Sequence, residues 1–165
     1  MVQEKVGKVY MHAMLHYDLN QKGYQESSGF FKIFDGYHMY IASPLLNNLG
    51  DEKNARPFSI RDFWTDQVKW SKRMGVNFAP SVEPGYDDRF IKENGDIKNR
   101  KGTVQYGNKW TYAGMWEDTI ASGARWVCIT TYNEWWEGTE IDATYEYGNF
   151  FIEMTRTYTT QFKAG

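Results

Sequence analysis

The pattern of apolar and polar residues changes along the chain between short apolar runs, which are typical of strands, and a period near 3.6 residues, which is typical of helices. Residues 6–15 form an apolar run that favours a strand, although Met and Ala within it are also compatible with a helix. Residues 34–41 predict a short buried strand that ends before Pro44, because proline cannot donate a ladder hydrogen bond. Residues 76–82 and 125–132 predict two further buried strands.

Three segments with a period near 3.6 residues separate or follow these strands. The first is predicted to begin after Ser59 as its N-cap and to end at Gly75. The second is predicted from Asn108 through Ser122, with Gly123 as its stop. The third is predicted near the C-terminus from an apolar stripe made of Tyr147, Phe150, Phe151, Met154, Tyr158 and Phe162.

Long polar loops follow the last two predicted strands, at residues 83–105 and 133–144. Alternating strands and helices predict an α/β fold with parallel strands, and sites in such folds lie at the carboxyl ends of the strands. A closed eight-stranded barrel takes about 250 residues, so this chain supplies about half of one. It is therefore part of a longer chain, or pairs with a partner chain or with itself, or forms an open sheet.

Composition narrows the functional classes. The 165 residues are 41% hydrophobic, which is ample for one globular core, and a net charge of -2 gives no footprint for nucleic acid. No segment has the roughly 18 uncharged apolar residues of a membrane span, and the charges of Glu4, Lys5 and Lys8 do not fit a signal peptide. We expect a soluble protein of unassigned compartment, in which Cys128, the only cysteine, is a buried thiol.

Acidic and aromatic residues are concentrated just after the last predicted strand, where residues 133–142 read NEWWEGTEID. An acidic loop is often only a solvated turn, but two tryptophans at the end of a strand favour a binding or catalytic site. Glycoside cleavage needs one protonated carboxyl group and one ionised carboxylate, and an apolar ring beside one of them separates their proton affinities. We therefore predict that Glu134 and Glu137 are the catalytic pair. Their spacing alone does not assign their roles.

The segments TYNEWWEGTEID, FDGYHMYIAS and FAPSVEPGYDDRFI resemble glycoside hydrolase family 99, the endo-α-1,2-mannosidases and endomannanases. The resemblance runs from about Phe30 to Phe162 and implies a TIM-like (β/α) barrel that cleaves within α-mannose chains with retention and without a cofactor. It implies that Glu134 deprotonates the 2-hydroxyl of the sugar, which then forms a 1,2-anhydro sugar. It also implies that Glu137 protonates the leaving oxygen and later activates water.

The resemblance divides the chain into a poorly matched segment, residues 1–29, with room for one strand, and residues 30–165, the C-terminal (β/α) units of a half-size barrel. The chain departs from the family at three positions. Histidine is usual where Trp136 stands, glutamine where Glu140 stands, and glycine where Glu83 stands. Extra acids at 83 and 140 are expected to make the cleft more negative.

Further residues are predicted to contact the sugar beside the pair. Tyr86 corresponds to the family's tyrosine that faces the cleaved bond. On the predicted strand at 34–41, His38 and Tyr40 share one face, and Tyr37 and Met39 share the other. If the face of His38 and Tyr40 points into the barrel, both residues line the cleft. The alternative is that His38 is a core residue. The full predicted set is Tyr86, Asn133, Trp135, Trp136, His38 and Tyr40.

The predicted partner is a mannose-containing oligosaccharide, with no nucleic acid and no membrane. No metal is predicted, because His12 and His16 would share a helical face but have no third ligand nearby. A second copy or a partner chain is expected to complete the barrel. The rival function is a catalytically inactive half-barrel that binds carbohydrate, self-assembles or acts as a scaffold, since half a barrel has an unpaired strand at each edge.

Overall fold

A computed structural model describes residues 9–15, 33–40, 60–86, 92–93, 96–97 and 109–165. Within these ranges the chain forms short strands and three helices. In chain order they are β1 (His12–Leu15), β2 (Gly36–Met39), α1 (Arg61–Met74), β3 (Asn77–Ala79), β4 (Ser81–Val82), β5 (Lys92–Glu93), β6 (Asp96–Ile97), α2 (Lys109–Ala121), β7 (Cys128–Ile129) and α3 (Phe150–Ala164).

The parallel strands lie beside one another in the order of the chain. β1, β2 and β3 form one parallel sheet, and β4 pairs in parallel with β7. Only Pro80 separates β3 from β4, and its carbonyl accepts the N–H of Cys128 at 2.8 Å. Ser81 donates its hydroxyl hydrogen to the carbonyl of Met39, which ties β4 to β2. The predicted α/β fold with parallel strands is confirmed, and its arrangement fits part of a barrel.

Several predicted element bounds were wrong. Residues 12–15 form a strand and not a helix, so His12 does not lie on the helical face that was considered for a zinc site. The second histidine of that site, His16, lies outside the described residues. The predicted strand at 76–82 is divided at Pro80, which has no N–H to donate. The predicted strand at 125–132 is reduced to Cys128–Ile129, and the predicted loop at 83–105 contains the antiparallel hairpin of β5 and β6.

The main core lies between the strands and the helices. On β2, Tyr37 and Met39 are buried, and the ring of Tyr37 packs on those of Phe78 in β3 and Trp70 in α1. Tyr37 also donates to Gln67 in α1 at 3.0 Å, so its hydroxyl is satisfied in the core. His38 at the alternate position of β2, and Tyr40 directly after the strand, therefore lie on the opposite, inner face of the sheet. The largest fully buried apolar side chains are Trp64, Trp116, Tyr37, Tyr112, Phe151, Met39, Ile60, Met115 and Val82.

Helix α1 is capped by a residue from another helix. Its N-cap position is Ile60, which has no capping side chain, and the predicted cap, Ser59, lies outside the described residues. Asp118 of α2 instead accepts the Ile60 N–H at 2.7 Å and an Arg61 guanidinium hydrogen at 3.1 Å. Asp118 is buried, so this contact fixes α1 on α2 as well as satisfying the helix end. The predicted stop at Gly75 is confirmed.

The last helix is shorter than its apolar stripe predicts. α3 begins at Phe150, and Tyr147 lies in the preceding turn, where Thr144 and Gly148 exchange backbone hydrogen bonds. Of the stripe residues, Phe150 is 42% exposed, whereas Phe151 is fully buried. The remaining stripe residues that pack against the core are Tyr147, Met154, Tyr158 and Phe162.

The inner face of the sheet carries a stacked cluster of rings, which we call the inner-face cluster: Tyr10, His12, His38 and Trp126. Tyr10 stacks on Trp126 with ring centroids 5.4 Å apart, and His12 stacks on His38 at 5.0 Å. Asn77 donates to the Tyr10 hydroxyl at 2.7 Å, and this hydroxyl donates to the carbonyl of Asp35 at 3.1 Å. Burial lowers the pKa of His12 and of His38, and for His38 the nearby His12 adds to the effect. Both rings are thus favoured in the neutral form that stacks without repulsion.

Much of this inner face remains accessible to solvent in the isolated chain. Tyr10, Trp126 and Met14 of β1 are exposed, in contrast to Ala13 on the other face of the same strand, which belongs to the core. Inside a closed barrel these positions would be packed.

In the part of the chain that the structure describes, no helix is long and apolar enough to cross a membrane.

Gly36 is expected to be essential for the close packing of the inner-face cluster. A Cβ at this position would lie 2.7 Å from the Tyr10 hydroxyl oxygen, 2.8 Å from Nδ1 of His12 and 3.0 Å from the carbonyl oxygen of Asn77. We predict that Gly36→Ala lowers the free energy of unfolding by about 1 to 3 kcal/mol, as measured by denaturant titration. Gly165→Ala, where a Cβ meets nothing within 4 Å, is the matched control and should be neutral. Equal stability of the two variants would contradict this packing.

Candidate active site

The segment that follows β7 folds into a compact turn, residues 131–142, which we call the carboxylate turn. Its two ends are joined at Thr131, whose N–H donates to the carbonyl of Thr139 at 2.8 Å and whose carbonyl accepts the Ile141 N–H at 3.0 Å. The hydroxyls of Thr131 and Thr139 also form a hydrogen bond of 2.9 Å, and Thr139 is fully buried. The predicted polar loop is therefore closed by backbone and side-chain bonds at its base.

Glu134 and Glu137 lie on one tight bend within the carboxylate turn. The Glu137 N–H donates to the carbonyl of Glu134 at 3.2 Å, and the Gly138 N–H donates to the carbonyl of Trp135 at 3.3 Å. Gly138 has a φ of 62°, a left-handed conformation that disfavours residues with a Cβ. The Glu134 N–H is held by the Thr131 hydroxyl at 2.9 Å. Both glutamates are half-buried, so they are partly shielded from water while still accessible.

Tyr40 connects β2 to this turn across the sheet. Its hydroxyl donates to Oε2 of Glu137 at 3.1 Å, although the two residues are 97 positions apart in the chain. Burial raises the pKa of Tyr40, and the charge and hydrogen bond of Glu137, the charge of Glu134 and the nearby Tyr86 raise it further. The structure thus brings Tyr40, Tyr86, Glu134 and Glu137 together, and it keeps the Tyr40 hydroxyl protonated as a donor to Glu137.

The other predicted sugar-contact residues are placed differently. Asn133, Trp135 and Trp136 are exposed on the carboxylate turn. His38 on β2 lies two residues before Tyr40, on the same face of the sheet, and its ring stacks on that of His12 in the inner-face cluster. The geometry therefore groups the tryptophans with the carboxylates on the turn and gives His38 a packing contact.

The two acids at which the chain departs from the family pattern are buried. Glu83 follows β4 and is 0% exposed, and Glu140 in the carboxylate turn is 3% exposed. They therefore lie inside the protein rather than on its surface. Burial raises the pKa of Glu140 to about 7, and the charges of Glu146 and Asp142 add to this effect, against a lowering contribution from its own backbone N–H.

Residues that hold the turn were missed by the sequence reasoning. Thr131 and Thr139 carry no acid, base or ring, and only their positions on either side of the Glu134 to Glu137 bend mark them. A pair of hydroxyl residues flanking an acidic bend is a signal that could have indicated them, because short hydroxyl side chains readily bond to turn backbones.

Metal and thiol chemistry receive little support from the described side chains. Within the ranges that the structure describes, no group of three His, Cys, Asp or Glu residues is placed to hold a metal ion. Cys128 is half-buried beside Thr130, and burial raises the pKa of its thiol, which disfavours the thiolate that a nucleophile needs.

Comparison with known proteins identifies a matching family and similar proteins. Residues 15–148 match the sequence model of glycosyl hydrolase family 99. The chain is 25% identical over 149 residues to the glycoprotein endo-alpha-1,2-mannosidase of Xenopus laevis, covering 78% of this chain and 29% of that protein. It is 27% identical over 109 residues to the Mus musculus enzyme of the same name, covering 66% and 21%.

Solved structures show the same fold over almost the whole chain. The GH99 endo-alpha-mannosidase from Bacteroides thetaiotaomicron, in complex with Bis-Tris-propane, superposes with a TM-score of 0.65 at 24% identity, covering 95% of this chain and 48% of that one. A second structure of the enzyme from the same organism gives a TM-score of 0.67 at 22% identity, covering 95% and 45%. The chain thus spans about half of these structures and less than a third of the Xenopus and mouse proteins.

Protonation of Glu140 is expected to couple the stability of the fold to pH. Its pKa is raised in the folded state, so its stabilising contribution is complete below the unfolded value of 4.5 and is lost as pH rises through about 7. Because one pKa unit corresponds to about 1.4 kcal/mol, we predict that Glu140→Gln raises the free energy of unfolding at pH 8 by about 3 kcal/mol relative to its effect at pH 4. The exposed Glu153→Gln is the control, and an identical pH dependence in both variants would contradict this assignment.

Proposed function

Because the chain belongs to glycosyl hydrolase family 99, we propose that its carboxylate turn is the catalytic centre of an endo-acting glycoside hydrolase for α-mannosidic linkages. The observation that carries the proposal is the hydrogen bond from Tyr40 to Glu137 at 3.1 Å, with Glu134 and Tyr86 close to the same hydroxyl. It gathers the predicted acid and base beside two tyrosines at the carboxyl ends of the strands, where α/β barrels carry their sites. The relatives' names as endo-mannosidases support the same substrate class.

In the proposed reaction Glu134 acts as the base. Its carboxylate takes the proton of the sugar 2-hydroxyl, and the resulting oxygen attacks the anomeric carbon to form a 1,2-anhydro ring. The bond from the anomeric carbon to the leaving oxygen breaks in the same step. The hydrogen bond between the Glu134 N–H and the Thr131 hydroxyl holds the backbone of this base, so that its carboxylate is positioned before the sugar binds.

Glu137 acts as the acid and then as the base in the proposed reaction. Its carboxyl group protonates the leaving oxygen, and in the second step the carboxylate takes a proton from water as that water opens the anhydro ring at the anomeric carbon. Glu134 returns its proton to the released 2-oxygen in the same step, which restores both side chains. The net result is hydrolysis with retention. Tyr40 contributes a fixed donor that orients Oε2 of Glu137 and stabilises its ionised form in the second step.

The remaining predicted residues are proposed to hold the sugar. Exposed Trp135 and Trp136 offer rings for the apolar faces of pyranoses, while Asn133 supplies amide groups for hydroxyls. Tyr86 lies near Tyr40 and is proposed to face the cleaved linkage. For His38 we propose a supporting contact below Tyr40, because its ring is stacked on His12.

A second copy of the chain is proposed to complete the barrel around this centre. Tyr10 and Trp126 of the inner-face cluster are exposed, as is Met14, and the strands β1 and β7 end the run of parallel strands in the described residues. A two-fold axis along the barrel would place β1 of one copy beside β7 of the other with all strands parallel, which would remove both open edges. The inactive alternative, a carbohydrate-binding or scaffolding half-barrel, rests on the same exposed face.

Substitution of the carboxylates tests the catalytic proposal. Glu134→Gln and Glu137→Gln keep the shape of each side chain but remove its proton chemistry, so each is expected to lower kcat on α-mannosyl oligosaccharides by at least about 100-fold. Product release can be followed by chromatography. Asp62→Asn, an exposed acid in the first turn of α1, is the control and should retain full activity.

Two outcomes would contradict the catalytic proposal in different ways. Wild-type cleavage that survives in both glutamine variants would exclude the carboxylate turn as the catalytic centre. Binding of the oligosaccharide by the wild type without any cleavage would instead favour the carbohydrate-binding alternative.

Solution mass tests the proposed assembly. We expect light scattering to give the mass of two chains for the wild type, and of one chain for Met14→Lys, because the charge would be placed on the inner face of β1. Met74→Lys, at an exposed position near the end of α1 on the helical side, is the matched control and should remain a dimer. A wild type with the mass of one chain would contradict assembly by a second copy.

A further inference from the structure

Two histidines lie face to face on the inner side of the sheet. His12 in β1 and His38 in β2 have ring centroids 5.0 Å apart and ring planes 23° from parallel, and we call them the histidine pair. Stacking of this kind suits neutral imidazole rings, whereas two imidazolium ions at the same distance repel each other. Histidine ordinarily titrates near neutral pH, so the charge on this stack can change under mild conditions.

The His12 ring is confined on several sides. It also stacks on Tyr10 with ring centroids 6.2 Å apart and on Trp126 at 6.4 Å. Its Nδ1 lies so close to β2 that a Cβ at Gly36 would be 2.8 Å from this nitrogen. Tyr10 is in turn fixed by Asn77 of β3, which donates to its hydroxyl at 2.7 Å. Because the ring has little room to turn aside, separation of the histidine pair requires β1 to move with it.

The described surroundings of the histidine pair do not supply an ion pair. Among the side chains that the structure describes, neither ring forms a hydrogen bond or a salt bridge with a carboxylate. Asp35, which precedes β2, has its Oδ2 engaged by a backbone N–H of the segment before β1 at 2.8 Å. Glu134 and Glu137 lie past the end of β2, where the Tyr40 hydroxyl donates to Glu137 at 3.1 Å. Positive charge on both rings would therefore not be neutralised by a direct partner.

We propose that the histidine pair is a proton-sensitive latch, which holds β1 on the inner-face cluster at neutral pH and releases it in mild acid, when both rings carry a charge. The first proton is tolerated, because a single imidazolium at His12 stacks on the rings of Tyr10 and Trp126, which attract cations. The second proton places two like charges 5.0 Å apart.

The electrostatics of the site support this direction. Burial lowers the pKa of His12 and of His38, and the nearby His12 lowers that of His38 further. Because both pKa values are lowered in the folded state, the stabilising contribution of the neutral pair is present above the unfolded value of 6.5 and is lost as pH falls. The latch is therefore closed at neutral pH and opens on acidification.

Release of β1 would act on the face that the proposed second copy covers. β1 is the edge strand of its sheet in the described residues, and it carries the exposed Met14. Opening of the latch in acid would therefore also separate two paired copies. This consequence rests on the proposed assembly, whereas the latch itself does not.

Ring-proton NMR tests the latch directly, because the chain has only three histidines. In the wild type the histidine pair should titrate in two steps separated by about one pH unit or more, as expected for coupled sites. Phenylalanine keeps a flat ring but takes no proton, so in His12→Phe or His38→Phe the remaining histidine should titrate at a higher pH than the second wild-type step. Titration of each ring that is unchanged by loss of the other would overturn the inference.

Unfolding equilibria at pH 8 and pH 5 complete a double-mutant cycle. Relative to the double Phe variant, the equilibrium constant for folding of the wild type should fall by about three- to fivefold more than the product of the losses in the two single variants. The opposite pH dependence of Glu140 is shared by all four proteins and cancels. A wild-type loss equal to that product would overturn the latch. If a Phe variant does not fold at pH 8, the corresponding Gln variant replaces it.

Solution mass at pH 7.5 and pH 5 distinguishes the latch from the proposed assembly. A wild type with the mass of two chains at pH 7.5 and of one at pH 5, together with two chains at both pH values for His38→Phe, would support release of β1. A two-step titration in a wild type that keeps the mass of two chains at pH 5 would overturn that release. A mass of one chain at both pH values would contradict the assembly alone, and the NMR steps and the cycle would then decide about the latch.

Discussion

The two faces of the parallel strands impose the constraint on which the rest of this structure depends. Successive side chains of a strand point to opposite faces, so β2 must give one set to the helices and the other to the interior. Tyr37 and Met39 satisfy the first demand in a dry core, whereas His38 and Tyr40 satisfy the second. A register shift of one residue would exchange the sets and remove the donor to Glu137.

This division explains why the core and the site are held by different forces. The outer face is stabilised by burial of large rings, for which shape matters more than hydrogen bonding. The inner face relies on stacking and hydrogen bonds, as in the chain from Asn77 through Tyr10 to the carbonyl of Asp35. Such contacts tolerate partial solvation, and this allows the inner face to remain ordered while Tyr10 and Trp126 are exposed.

Local patterns in the sequence predicted the elements and the residue types of the site, but not the contacts between distant elements. The helix stop at Gly75, the parallel strands and the carboxylate bend at 134–137 follow from short-range rules of propensity and turn chemistry. The capping of Ile60 by Asp118 joins residues 58 positions apart, and no local rule predicts it. The start of α3 was misplaced because the turn at 144–148 competes with the helical period of its apolar residues.

Half of a barrel can supply the proposed reacting groups but not the walls that enclose them. The proposed acid and base lie on the carboxylate turn, and Tyr40, the donor to Glu137, directly follows β2, so all three groups belong to this chain. Their mutual geometry is fixed by bonds among Thr131, Thr139 and the bend itself, so it does not require a facing wall. Enclosure is a different matter, because shielding a reacting sugar from water needs side chains on all sides of the cleft. The chain therefore assembles the proposed reacting groups by itself, and whatever covers the inner face determines how far they are desolvated.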